Sequence, residues 1–115
     1  MSVSYIVEFN IKDGKVDEFK ALAHGFIKEV EANEPGTLGY EWYLGDGGRC
    51  LIQETFEDSA ALLTHLGNVG PSLPKLLEIA PIAGINVLGE VSDDARAALA
   101  GLGATFHSVL GGFRR

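Results

Sequence analysis

Two side chains able to move protons stand close together in this chain. Glu54 lies in the middle of LIQETFE, a β-rich run, and His65 lies in DSAALLTHL, the helix-like run that follows. Glu54 shares a strand face with Cys50, Ile52 and Phe56, and a carboxylate on an apolar face needs a partner or a raised pKa. Ala61, Leu62, His65 and Leu66 fall on one helical face, which turns the imidazole toward the sheet. Pairing with Glu54 satisfies the carboxylate and holds the ring in one tautomer, leaving His65 as a base suited to work near pH 7. Plainer readings stand beside this one. His65 is equally a core histidine bonded to a carbonyl or carboxylate, and Glu54 a bridge across a dimer or a partner for main chain.

Tyr40 and Trp42 share one strand face, with Tyr43 on the other. Aromatics so placed line sites for flat ligands, or simply pack a core or a dimer. Asn10, near the end of the first strand, reads as a pocket amide or as a strand-end turn residue. His24 reads as solvated, His107 faces a partner or solvent, and Cys50 is a small core residue. The three histidines sit in three separate elements without the spacing of a metal pair, and one cysteine allows neither an internal disulfide nor a cysteine metal cluster. Neither a metal nor a flavin is therefore expected. GDGG (45–48) leads into a strand rather than a helix, so it lacks the setting of a phosphate loop.

The elements that must position these groups follow from periodicity. SYIVEFNIK (4–12) alternates like a strand, with Tyr5, Val7, Phe9 and Ile11 on its apolar face. Val16, Phe19, Ala23, Phe26, Ile27 and Val30 then form the stripe of an amphipathic helix, stopped by NEPG (33–36). TLGYEWYL (37–44) and RCLIQETFE (49–57) read as two strands joined by the GDGG turn. Asp58 or Ser59 caps a second helix that runs to about Leu66, breaks near GNVGP and resumes through SLPKLLEI until Pro81. AGINVLGEV (83–91) is a fourth strand, SDDARAALAGLG (92–103) a short capped helix, and ATFHSVL (104–110) a fifth, edge strand. The fold class is thus α+β, a ferredoxin-like β-α-β-β-α-β antiparallel sheet over 1–91 with a C-terminal helix and strand over 92–115.

Composition narrows the partners. A chain of 115 residues, 46% hydrophobic and 22% charged, suits one globular domain. The formal net charge of -7 argues against nucleic acid and against anionic membranes, since both call for clustered Lys and Arg. No apolar run approaches the ~20 residues of a membrane helix, and a cytoplasmic location is the default expectation.

Over EPGTLGYEWYL and RCLIQETFEDSAALLTHL the chain resembles the antibiotic biosynthesis monooxygenase-like family, which includes the quinol monooxygenase-like proteins. The resemblance rests on Pro35-Gly36 opening a strand, on Tyr40-Glu41 within it, and on Glu54, Phe56, Glu57-Asp58, Ala60-Ala61 and His65 after the hairpin. It covers residues 3–91, and its most specific block runs from Glu54 to His65. It implies a dimeric α/β barrel, in which two ferredoxin-like sheets pack through the faces not covered by helices. It also implies a ligand pocket between sheet and helices. Apolar residues on both faces of the strands agree with such pairing. Characterised relatives oxidise phenolic, quinol or polyketide aromatics with O2 and without flavin or metal. Haem-degrading relatives have a Trp where His65 stands and a haem-ligating His further on; here that region holds Leu73 and Lys75 and no histidine.

The expectation is a cofactor-independent monooxygenase acting on a small aromatic, with His65 and Glu54 as catalytic residues and Asn10, Tyr40 and Trp42 lining the pocket. The alternatives are a non-catalytic ligand-binding or dimerisation domain, or an isomerase- or cyclase-like enzyme using the same base without O2. A homodimer is the expected assembly.

Overall fold

The computed structural model describes residues 2–115. The strands are β1 (Val3–Asn10), β2 (Thr37–Leu44), β3 (Arg49–Phe56), β4 (Ile82–Leu88) and β5 (Thr105–His107). The helices are α1 (Val16–Asn33), α2 (Ser59–Val69), α3 (Leu73–Ile79) and α4 (Asp93–Ala100). All five strands join one sheet in the order β2-β3-β1-β4-β5. The first four pair antiparallel in the ferredoxin-like arrangement. β5 pairs with β4 in parallel, because α4 carries the chain back across the layer before β5 begins. The sheet is therefore mixed: its four-strand ferredoxin-like part is antiparallel, as the sequence reading has it, and the added edge strand runs parallel to its neighbour.

Alternation sets the two faces of the sheet. Val3, Tyr5, Val7 and Phe9 of β1 are buried under the helices, as are Cys50, Ile52, Glu54 and Phe56 of β3. Phe19, Ala23, Phe26 and Val30 of α1 cover them, the stripe that the helical period demanded. Leu62, His65 and Val69 of α2, Leu76 and Ile79 of α3, and Ala95 and Leu99 of α4 complete the layer. The opposite face carries no helix and leaves Tyr43, Leu51 and Leu88 exposed, with the Glu8–Arg49 ion pair at 2.8 Å among them.

Two glycines hold the frame. Gly48 has φ +76°, and a Cβ there would lie 2.9 Å from the carbonyl oxygen of Ile11, so the β2–β3 connection needs glycine at that point. Gly36 lets the loop after α1 settle on α2: a Cβ there would lie 2.8 Å from Cβ of Ala61. The second helical segment continues beyond Leu66 to Val69 before a 3-10 turn over Gly70–Ser72 leads into α3. Gly67 is carried inside the helix, and the break falls at Gly70-Pro71, where the proline lacks a donor N–H.

Candidate functional site

The hairpin register puts a row of side chains across the middle of the buried face. Glu54 pairs with Tyr40 of β2 on one side and with Tyr5 of β1 on the other, and Tyr5 pairs onward with Val87 of β4. The next row on that face holds Trp42, Ile52, Val7 and Ile85. α2 lays His65 over Glu54. The helix is anchored by Asp58, whose Oδ1 accepts from the Ala61 N–H at 2.8 Å. It is tied to the tail by Ser59, whose Oγ accepts from the Ser92 N–H at 2.9 Å.

Three ionisable groups meet there. Nε2 of His65 lies 2.8 Å from Oε1 of Glu54, and Nδ1 lies 2.8 Å from Oε1 of Glu34. All three are buried, at 2% exposure for His65, 3% for Glu54 and 5% for Glu34. The two contacts differ in quality. Nδ1 makes a well-directed hydrogen bond to Glu34. Nε2 comes as close to Oε1 of Glu54 but is less well directed, and this imidazole contact is what faces that buried oxygen. Glu34, by contrast, is saturated. Its Oε1 also accepts from the Thr37 hydroxyl at 2.8 Å, and its Oε2 accepts from the Asn68 amide at 2.7 Å.

Electrostatics follow from this packing. Burial pushes the Glu54 pKa up, the facing imidazole and the nearby Tyr5 hydroxyl pull it back only in part, and the charge of Glu34 adds to the rise. Burial works against a charged His65, yet Glu54 and Glu34 outweigh it and hold the imidazole pKa above its usual value. Burial first, and then the charge of Glu54, raise Tyr5 and Tyr40, so both hydroxyls remain protonated donors. Cys50, also buried, is pushed up to about 11 and stays a thiol.

Glu54 and His65 open onto an apolar cavity of about 50 Å³, room for a few waters. Tyr5, Tyr40, Trp42, Phe26, Val69 and Leu99 are among its walls. Tyr40 stands edge-on to Trp42 and to His65, with ring centroids 5.7 and 5.3 Å apart. The indole Nε1 of Trp42 is buried next to the Tyr40 hydroxyl. Phe26 and Val69 also line a surface groove between α1 and the segment from Asn68 to Lys75, and so form the partition between cavity and exterior.

Of the residues singled out in the sequence, His65, Glu54, Tyr40 and Trp42 come together at this cavity. Asn10 does not. It is exposed and pairs with Arg49, because its neighbour Phe9 points into the core and strand alternation turns Asn10 to the other side of the sheet. The sequence reading passed over Glu34, taking NEPG only as a helix stop. A signal was present: a carboxylate just past a helix C-terminus is disfavoured by the helix dipole and calls for another partner. Asn68, three residues after His65 on the same helix, was missed as well. Among the described residues no group of three His, Cys, Asp or Glu side chains is placed to hold a metal ion; the two carboxylates here sit at different ring nitrogens. No helix among the described residues is long and apolar enough to cross a membrane.

Comparison with known proteins agrees with this architecture. Residues 2–70 match the family model described as antibiotic biosynthesis monooxygenase. No curated protein matches the chain. Among solved structures, MupZ from Pseudomonas fluorescens is 28% identical and superposes with a TM-score of 0.90 over 99% of this chain and 94% of its own. Rv0793 from Mycobacterium tuberculosis, 23% identical, gives 0.69 over 81% of this chain and 98% of its own. A conserved protein from Methanosarcina mazei Go1, 22% identical, gives 0.68 over 76% and 90%. The latter two share the fold but leave part of this chain unmatched, whereas the likeness to MupZ runs through α4 and β5.

Proposed function

The chain belongs to the antibiotic biosynthesis monooxygenase family, and from that premise we propose that it is a cofactor-independent monooxygenase. Its substrate is a small phenolic, quinol or polyketide-type aromatic, oxidised with O2. The observation that carries this reading is Glu54 itself, a buried carboxylate on the wall of an apolar cavity, its pKa raised by burial, with an imidazole 2.8 Å away. A substrate hydroxyl in that cavity donates to the carboxylate.

Both ring nitrogens of His65 already face carboxylates. Glu54 therefore takes the role of base that sequence spacing suggested for His65, and His65 supplies the facing positive charge. Removal of the hydroxyl proton by Glu54 leaves an electron-rich phenolate, a far better one-electron donor to O2 than the phenol. For a simple phenol the sum is balanced as phenol plus O2 giving quinone plus water. One oxygen atom enters the ring, the other leaves as water, and the substrate supplies all four electrons. Tyr5 and Tyr40 stay neutral and add no negative charge beside the phenolate. Binding calls for the cavity walls to move, because the cavity is smaller than an aromatic ring requires.

A second reading draws on the same pair. A carboxylate beside an imidazole can take a proton from one atom of a ligand and return it to another, which is isomerase or cyclase chemistry without O2. Aerobic incubation with a panel of phenols, anthrones and quinols, followed by O2 uptake and product mass, separates the two. Oxygen uptake with a product one oxygen richer supports the monooxygenase. Conversion that proceeds equally under nitrogen sinks it, as does a ligand that binds and is recovered unchanged.

We further infer that the helix-free face of the sheet pairs with a second copy of the chain. Tyr43, Leu51 and Leu88 are exposed on it, and apolar groups on a sheet face gain by being covered.

A further inference from the structure

Glu34 lies outside the cavity and does not touch a ligand there, yet it is the most fully bonded member of the buried trio. Its two oxygens accept from His65, Thr37 and Asn68, and it borders surface clefts on both sides of the Pro35–Thr37 loop. Three hydrogen bonds donated to one carboxylate stabilise its negative charge. Glu54 lacks a comparable set of donors: the group that faces it is the imidazole itself. In an apolar pocket a lone carboxylate and a lone imidazole relax to the neutral pair, acid and base both uncharged, because burial penalises each ion.

We propose that Glu34 is the positioning residue of the site: it fixes His65 as an imidazolium, and that fixed cation is what keeps Glu54 ionised and able to accept a proton inside the cavity. The inference rests on the reading of Glu54 as the base. The groups facing His65 are Glu34 from the turn after α1, Glu54 from β3 and Tyr40 from β2, with Tyr5 of β1 beside Glu54. Of these only the two carboxylates can carry negative charge near neutral pH, since both tyrosine hydroxyls stay protonated. Glu34 acts on both neighbours in opposite senses. Its charge alone raises the Glu54 pKa, whereas through His65 it supplies the cation that lowers it. The second effect prevails because the imidazolium is in contact with Glu54, while Glu34 acts on it only across the width of the ring.

The test uses the full chain without ligand. Ring nitrogen shifts of 15N-labelled histidine report the protonation of His65 across pH, and replacing His65 identifies its signal among those of His24 and His107. His65 is expected to be an imidazolium at pH 7 in the wild-type chain. In Glu34→Gln, which keeps the size and one hydrogen-bond acceptor, the proton affinity of His65 should fall about tenfold or more. Thr37→Val, which removes one donor to Glu34 and leaves its charge, should move it far less. A neutral His65 at pH 7 in the wild type would overturn the proposal, and so would a Glu34→Gln ring that keeps its charge unchanged. If Glu34→Gln does not fold, Glu34→Asp is read in its place: its shorter side chain draws the carboxylate back from Nδ1, so the proton affinity of His65 must fall, and no change overturns the proposal. Because no turnover enters this measurement, an imidazolium that depends on Glu34 in a protein inert to every aromatic tried sinks the monooxygenase reading alone.

Discussion

Nδ1 of His65 donates to Oε1 of Glu34 across 2.8 Å, although 31 positions separate them along the chain. That bond closes the back of the ring and leaves the approach between Nε2 and Glu54 as the side that faces the cavity. It sets one carboxylate, held by three donors, apart from the other, which meets the imidazole and lines the cavity.

Glu54→Gln should abolish the base while leaving the cavity shape nearly unchanged. Loss of a general base typically lowers rates by about 10²–10⁴-fold. Steady-state kinetics on any aromatic the wild-type protein turns over, with circular dichroism as the check on folding, measure it. A Glu54→Gln enzyme within a few-fold of wild type removes Glu54 from the mechanism.

His65→Ala should damage folding as well as function. It leaves Glu34 and Glu54 facing each other's charge in the core, and breaking a buried pair by removing one partner costs about 3–5 kcal/mol. The urea midpoint should fall accordingly. His65→Ala combined with Glu54→Gln should be less destabilised than His65→Ala alone, because one of the stranded charges is gone.

Stability should fall as pH rises from neutral into the alkaline range. His65 has its folded pKa raised by its two carboxylates, so the folded state binds the proton more tightly than the unfolded chain. Such a group contributes fully below its unfolded pKa of about 6.5 and loses the contribution as pH climbs through the higher folded value. Cys50, pushed up to about 11, and the raised Tyr5 and Tyr40 act in the same direction further up the scale. Denaturant midpoints measured at successive pH values should show the decline, and Glu34→Gln should flatten its neutral part.

Leu99→Ala should reveal whether the C-terminal helix closes the site. Leu99 is 1% exposed and forms part of the cavity wall. Truncation of a buried leucine costs about 2–5 kcal/mol. It should also enlarge the pocket, so that a small apolar ligand binds more readily, as read by calorimetry with benzene or a simple phenol. An unchanged melting temperature would mean that α4 adds nothing to the core.

Light scattering should return twice the mass of a single chain. Leu51→Lys together with Tyr43→Lys places two cations on the helix-free face and should shift the population to monomer at micromolar concentration. A wild-type chain that is monomeric at that concentration rejects pairing through this face.

Much of the architecture was legible in residue order alone, because it depends on local periods. The stripe from Val16 to Val30 is a helix wherever it is placed, and the alternation in SYIVEFN and RCLIQETF marks which side chains share a face. The same alternation already put Asn10 opposite Phe9, so its assignment to the pocket was open to correction from the sequence itself. The Glu54–His65 pair was legible for a related reason, since strand and helix each turned one polar group toward the same layer. What the sequence left open was register. A slip of one residue at Gly45–Gly48 would have set Glu54 against different neighbours, and only the folded hairpin places Tyr40 and Tyr5 on its two sides. Glu34 depended wholly on tertiary structure. Its side chain becomes part of the site because the loop after α1 lies against α2 at Gly36 and Ala61, a contact between elements distant in sequence that no local period encodes. The residue order determined which groups are apolar, paired and turned inward; the three-dimensional packing decided which of the two carboxylates is held by three donors behind the ring and which lines the cavity.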